Sequence, residues 1–284
     1  MSEYLDKTAV ITGAASGIGH ALARKCGAYG MNVVLGDIDA STLQKTKQEL
    51  SHSAHGCLAI TVDVAKEIDV KILAAETINA FHGVDFLFIN AGVNIMAFMS
   101  EYDILDWKWI IDVNLWGTIH CIKAFLPILM RSDRDSHIVI TSSAGAFIPF
   151  QTVGPYNASK AAILALSETL YNELRIVGSK ATVHALCPGM VNTNIAKAET
   201  RRQPEYMNPN IDYESDERRR YRLPENEVRS GISSEKVADE VFNSIEKNEF
   251  YIFPQLEVKQ MIAQKCASII NHNLPLDLSG IRKG

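Results

Sequence analysis

The chain has 284 residues, a formal net charge of −5, and 47% hydrophobic against 21% charged residues. That length buries a sizeable core without disulfide staples, and the mild acidity, with no long block of one sign, argues against nucleic acid or an anionic membrane as the main partner. The start, MSEYLDKTAV, lacks the basic and then apolar pattern of a secretory leader, and no stretch approaches the ~20 apolar residues of a membrane span, so a cytoplasmic location is expected.

The first apolar run, TAVITG at 8–13, reads as a strand, followed by a helix over 17–29 with Ile18, Leu22 and Cys26 at helical spacing. NVVLGD (32–37) and CLAITVD (57–63) are further strands, each followed by a helix-length segment, 40–50 and 66–81. VDFLFINAG (84–92), a helical segment over 105–130, HIVITSS (137–143), a helix over 156–177 and ATVHALCPG (181–189) continue the alternation. FYIF (250–253) is a late seventh run. Near-continuous Val/Ile/Leu runs are the mark of buried parallel strands. The alternation predicts an α/β, doubly wound parallel sheet of about seven strands flanked by helices, with right-handed crossovers.

The texture changes after about residue 192. Residues 199–230 are polar, charged and aromatic, so 192–232 reads as an insertion that forms a substrate loop or lid. SSEKVADEVFNSI (233–245) is a helix capped by Ser233 or Ser234. An extra C-terminal helix over 256–271 places Val258, Met261, Ile262, Cys266 and Ile269 on one face. The whole of 1–284 is taken as one domain. Cys26, Cys57, Cys121, Cys187 and Cys266 form no CxxC pair and no zinc-spaced cluster, so reduced, buried thiols and no metal are expected.

TGAASGIG (12–19) lies between a strand and a helix. There Gly13 permits a sharp turn, Gly17 a close approach of backbone to phosphate, and Gly19 tight packing of helix on sheet. The helix start offers N–H groups and a positive dipole end to a pyrophosphate. Asp37 ends the second strand 24 residues after Gly13, where a carboxylate accepts hydrogen bonds from the adenosine ribose and repels a 2′-phosphate. Neither Ser16 nor Ile38 is basic, so NAD is favoured over NADP. The competing role for Asp37 is a helix cap, which Asp39 or Ser41 can fill. Asp63 and Val64 are candidates to flank the adenine, and Asn90, Ala91 and Gly92 form a small-residue strand end that a cofactor can approach.

Tyr156 and Lys160, four apart, share one face of a helix. A phenol is a poor base at neutral pH, and a nearby ammonium favours the phenolate. A tyrosine tuned downward in this way can take the proton of an alcohol, or return one to a carbonyl. Ser143 lies 13 residues before Tyr156 at a strand end and can hold the substrate oxygen; Ser142 competes, because neighbours on a strand point to opposite faces.

Taken together, TGAASGIG, Asp37, Asp63-Val64, NAG at 90–92, Asn114 in DVNLWG, Ser143, YNASK at 156–160 and CPGMVNT at 187–193 resemble the short-chain dehydrogenase/reductase family over roughly residues 5 to 195. The resemblance implies a Rossmann fold and a Ser143–Tyr156–Lys160 site, with Asn114 holding a water that links the lysine to solvent. It also implies that Lys160 bonds the nicotinamide ribose, that Ser16 and Ile18 belong to the cofactor turn, and that Pro188, Gly189, Val191 and Thr193 neighbour the nicotinamide. This chain departs from the pattern at its C-terminal end, where many members carry a short glycine-rich tail. A homodimer or homotetramer is still expected.

Ile95, Met96 and Phe98, then Phe147, Ile148, Pro149, Phe150 and Gln151, then Met190 and residues of 194–230, are the expected substrate wall. Their apolar character points to a hydrophobic secondary alcohol or ketone. Arg218, Arg219 and Arg220 with Arg222 offer an anion site, but the acidic neighbours Asp216 and Glu217 favour a solvated charged face. Two other readings compete. A non-catalytic dinucleotide sensor has no need of the serine, tyrosine and lysine together. A nucleotide-sugar epimerase or dehydratase shares YxxxK, but has a different glycine spacing and a larger C-terminal domain.

Overall fold

In the computed structural model, residues 4–276 are described, apart from Tyr221 and Asn273. Seven strands form one sheet: β1 (Thr8–Thr12), β2 (Asn32–Asp37), β3 (Gly56–Thr61), β4 (Phe86–Ile89), β5 (Ser136–Thr141), β6 (Ala181–Leu186) and β7 (Tyr251–Ile252). Every pairing is parallel and the order is β3-β2-β1-β4-β5-β6-β7. The strands end before the apolar runs do. Gly13, Asp63, Asn90, Ser143 and Pro188 have left the sheet and build the loops at its C-terminal edge. The order reverses between β1 and β4, so a crevice opens beyond those two strand ends.

Alternate strand residues feed two cores. Ile11, Val33, Leu35, Phe86 and Phe88 meet Leu22 and Cys26 of α1 (Gly17–Ala28), Leu43 and Leu50 of α2 (Ala40–Leu50), and Val241 and Phe242 of α9 (Ser234–Glu246). Val10, Val34, Leu87, Ile89, Ile138 and Ile140 face the opposite way. They pack on Leu73 of α3 (Glu67–Phe81), Trp109 of α4 (Ile104–Ile111), Phe125 of α5 (Gly117–Arg131) and Ile163 of α6 (Gly154–Ile176).

Between α4 and α5, Asp112–Trp116 forms a π-helical turn, with the Gly117 N–H bonded to the Asp112 carbonyl. Ile104 to Arg131 is thus one helical run, long and apolar enough to cross a membrane by length and composition. The sequence pattern does not show this, because polar residues interrupt the run. Here Trp109, Ile110, Val113, Cys121, Phe125 and Leu129 are buried in the sheet core.

Two expectations need correction. The 192–232 segment folds as 3₁₀ turns at Asn194–Arg201 and Pro204–Tyr206, then α7 (Asp216–Arg219) and α8 (Glu225–Arg229). Arg218 is neither on a solvated face nor in an anion site. It is buried, with Nη2 2.5 Å from Asp106 Oδ1 and 2.8 Å from Glu199 Oε1. Arg202 joins them at 2.6 Å from Asp106 and lies over the Trp109 ring, 4.4 Å from its centroid. Sequence proximity to Asp216 and Glu217 suggests local pairing; the partners instead come from α4 and the first 3₁₀ turn. The side chains of Glu217 and Arg219 lie outside the described residues.

α10 (Leu256–Ile270) forms where the extra C-terminal helix is expected; on its apolar face only Val258 is buried, and Cys266 and Ile269 are exposed. The second correction concerns the cysteines: Cys26, Cys121 and Cys187 are buried free thiols, but Cys57 is only partly buried and Cys266 is exposed. No cluster of metal ligands occurs among the described residues.

Candidate active site

The crevice at the sheet's C-terminal edge is a cavity of about 640 Å³. At one end the chain turns from β1 into α1. Gly13 and Gly17 have φ of +68° and +54°, the left-handed region that glycine occupies freely. A Cβ on Gly17 would lie 2.9 Å from the Thr193 methyl, and one on Gly19 would run into the Gly13 carbonyl oxygen. Gly19 therefore lies behind the turn, as expected of the residue that packs helix on sheet. No side chain caps α1 and its first turn holds no acid. Ser16, Gly17 and Ile18 line the cavity there, leaving a positive helix end for an anion.

Asp37 is buried beside this turn. Its Oδ2 accepts the Ala15 N–H at 2.9 Å and its Oδ1 the Asp39 N–H at 3.0 Å. Asp39, not Asp37, caps α2, by accepting the Thr42 N–H. Asp63 accepts the Ala65 N–H through Oδ1, while its buried Oδ2 accepts no hydrogen bond and lies 3.7 Å from Lys66 Nζ. Asp63 and Val64 both line the cavity. An uncapped helix start, a cradle with no room for a Cβ and a carboxylate oxygen with hydrogen-bonding capacity to spare together fit an adenine dinucleotide.

Asn90 does more than its place at a small-residue strand end implies. Its Nδ2 donates to Thr12 O at 3.2 Å, and its Oδ1 accepts from Thr141 Oγ1 at 3.2 Å. Thr12 Oγ1 accepts the Asn90 and Ala91 N–H groups. These bonds fasten the ends of β1, β4 and β5 to one another. At Gly92, an added Cβ would sit 3.4 Å from Asn114 Oδ1 and 3.5 Å from Lys160 Nζ. Asn114 lies behind the cavity wall in the π-helical turn. Its Oδ1 accepts the Val93 N–H, and its Nδ2 donates to Val93 O and Ser159 Oγ. Its own carbonyl accepts the Thr118 hydroxyl at 2.8 Å.

The first turn of α6 brings Tyr156 and Lys160 to the end of β5. Lys160 Nζ donates to Thr141 O at 2.8 Å and lies 5.6 Å from the Tyr156 ring centroid. Ser143 Oγ accepts the Gly145 N–H at 3.0 Å, and Ser143 lines the cavity together with Tyr156. Ser142 points the other way, buried, and donates to Lys160 O. This settles which serine faces the tyrosine. The expected downward tuning of the phenol is not what the protein alone provides. Burial pushes Tyr156 up, and neighbouring Ser143 offsets this only in part. Burial also pulls the Lys160 ammonium down to about 8. Desolvation disfavours both charged forms.

Pro188, Gly189, Val191 and Thr193 line the cavity after β6. Gln255 braces this turn, with Oε1 accepting the Gly189 N–H and Nε2 donating to Met190 O. Nothing in the sequence marks Gln255, since its contact spans 66 positions. The substrate wall also differs from expectation. Phe150 and Met190 line the cavity, whereas Ile95, Met96, Phe98, Phe147, Ile148, Pro149 and Gln151 do not. Ile95 and Ile148 are core, and Phe98 is exposed. Ile195, Ala198, Gln203 and Leu223 of the expected 194–230 segment line the cavity, and Asn94, Trp109, Val113 and Val153 join them from outside the expected set. The advance signal among these four is the helical spacing of Trp109 and Val113, which puts them on one face.

The sequence model described as short chain dehydrogenase matches residues 7–204. The chain belongs to that family. A short chain dehydrogenase/reductase from Burkholderia phymatum, solved in complex with NAD, is 35% identical and superposes with a TM-score of 0.91 over 98% of this chain and 99% of that one. A "CLA biosynthesis dehydrogenase/reductase" of Lactiplantibacillus plantarum is 28% identical over 97% of both chains. A "C alpha-dehydrogenase" of Sphingobium sp. strain SYK-6 is 31% identical over 98% of this chain and 90% of that one. The protein is thus an oxidoreductase of the short chain dehydrogenase family, with that family's seven-stranded fold.

Proposed function

We propose that this short chain dehydrogenase interconverts an apolar secondary alcohol and its ketone with NAD, using Tyr156 as acid and base. The observation that carries the reading is the meeting of Ser143, Tyr156 and Lys160 on one stretch of the cavity wall, with Lys160 Nζ 5.6 Å from the centre of the phenol ring. The oxidised nicotinamide supplies a hydride acceptor and a positive charge when bound. Tyr156 then takes the hydroxyl proton of the alcohol, and Ser143 holds the same oxygen in line. Lys160 is held near 8, so its ammonium is mostly charged at neutral pH and opposes the burial cost of the phenolate. In this reading Asn114, beside Lys160 behind Gly92, holds a water that reconnects the lysine to solvent.

NAD is preferred to NADP in this reading because Asp37 is fixed by two backbone N–H bonds. Its remaining lone pairs suit a ribose diol and repel a 2′-phosphate. Trp109, Val113, Phe150, Val153 and Leu223 give the substrate an apolar wall. Absorbance assays with alicyclic, aromatic, terpene and steroid alcohols, run with NAD and NADP in parallel, test the assignment. Tyr156→Phe should bind NADH as the wild type does and lose turnover. A variant that keeps turnover refutes the role of Tyr156, and a strong NADP preference refutes that of Asp37.

A further inference from the structure

Of the described residues that line the cavity, only two are basic, Lys160 and Arg201, against the acids Asp37, Asp63, Glu227 and Glu257. Lys160 is committed to the tyrosine end. Arg201 is at the other end, on the insertion. It closes the 3₁₀ segment Asn194–Arg201 and folds back so that Nη2 donates to Asn194 O at 3.2 Å. The residue before Asn194 is Thr193, whose methyl fills the space beside Gly17 of the β1–α1 turn, 2.9 Å from where a Cβ would stand. The Arg201 charge is therefore held one residue from the contact between insertion and glycine turn. From there it is also felt across the crevice, where it helps to lower the pKa of Asp39 after β2, though less than the Thr42 bonds do. Among the described residues Arg201 forms no ion pair, unlike the neighbouring Arg202 with its buried carboxylates.

We infer that Arg201 is a cofactor-binding residue, its guanidinium bonding the diphosphate of the dinucleotide from the side of the insertion. The glycine turn offers only neutral N–H groups and a helix dipole to two negative charges, in a cavity whose other ionised groups at that end are acids. A guanidinium supplies the missing charge and a forked set of donors. Because Arg201 belongs to the segment that also carries Ala198 and Gln203 into the substrate wall, dinucleotide binding would fasten that wall in place. The inference rests on the dinucleotide reading above, but not on the identity of the alcohol.

The test is calorimetric titration of the full chain and of Arg201→Gln and Arg201→Lys with NADH, NADPH, ADP-ribose and adenosine. One lost charge-assisted bond predicts about tenfold weaker binding of NADH and ADP-ribose by Arg201→Gln, with adenosine changed less than twofold. Arg201→Lys should recover part of the loss, and added salt should weaken NADH binding more in the wild type than in Arg201→Gln. Matching thermal melts of the ligand-free proteins confirm that the fold is intact. An NADH affinity within twofold of wild type overturns the inference. So does a loss confined to NADPH, which would assign Arg201 to the 2′-phosphate, or an equal loss for adenosine, which would make it structural. A wild type that binds no dinucleotide overturns both readings. Failure of every alcohol in the turnover panel leaves the binding result standing.

Discussion

Asp106→Asn isolates the charge that ties the insertion to α4. Asp106 has a fully buried side chain and receives Arg202 Nη1 at 2.6 Å and Arg218 Nη2 at 2.5 Å. Its Oδ2 also accepts the Asp103 N–H in the capping box of α4. Burial works against the Arg218 charge, but the bonds and charge of Asp106 and Glu199 outweigh it and hold the guanidinium above its ordinary value. Asparagine keeps the volume and one acceptor, but turns an amide donor toward a guanidinium donor. Two buried arginines then share the one carboxylate of Glu199. Breaking a buried pair in this way costs about 3 kcal/mol, at the lower end for such losses because Glu199 remains. A chain of 284 residues unfolds with an entropy of about 0.6 kcal/mol per kelvin, so the melt should fall by about 5 °C. Differential scanning calorimetry reads the shift. The double variant Asp106→Leu/Arg218→Met should lose less than the sum of its single variants, with a coupling of at least about 1 kcal/mol. A melt of Asp106→Asn within 1 °C of wild type, by the same entropy about 0.6 kcal/mol, would refute the claim that these charges hold the insertion down.

Gly19→Ala places a methyl on the Gly13 carbonyl oxygen, where only backbone can move; it should cost about 3 kcal/mol and abolish NADH binding, as read by urea unfolding and calorimetry. Ser143→Ala should cut turnover at least about 100-fold with NADH affinity unchanged, whereas Ser142→Ala should lose about 1 kcal/mol of stability and keep most of its turnover. His137 is pushed down to about 4 by burial and by neighbouring His184. Between the ordinary value of about 6.5 and that level the unfolded chain takes up a proton that the folded chain refuses. Stability therefore falls as pH drops through this window, by up to about 3 kcal/mol. Urea melts of His137→Gln at pH 7 and 4.5 should show a much smaller fall than wild type, and an identical fall would remove His137 as the cause.

What the sequence discloses is whatever local chemistry fixes. Gly13 and Gly17 are legible because their turn needs a positive φ, and the six longer strands because parallel burial demands apolar runs. Tyr156 and Lys160 are legible because four residues is one helical turn. What stays hidden is set by distance along the chain. Arg218 finds Asp106 across 112 positions, and no charge count near residue 218 could reveal it. Gln203 and Trp109 meet across 94 positions, with Trp109 Nε1 donating to the carboxamide. The pKa of Tyr156 departs from expectation for a related reason. Adjacency of a lysine is visible in a sequence, while the depth at which both are buried is not.

The π-helical turn at Asp112–Trp116 lets the chain carry an extra residue without disturbing the cavity on either side of it. Such a turn is an α-helix with one residue inserted. Because the wider turn absorbs that residue, α4 and α5 keep the relative phase of an unbroken helix, with Trp109 on the cavity wall and Asp106 on its arginines. The change is confined to the backbone around Asn114, where the carbonyl ladder shifts from a four-residue to a five-residue step. One codon gained in a helix can thus redraw the hydrogen bonding of a single turn while every side chain along α4 keeps its place.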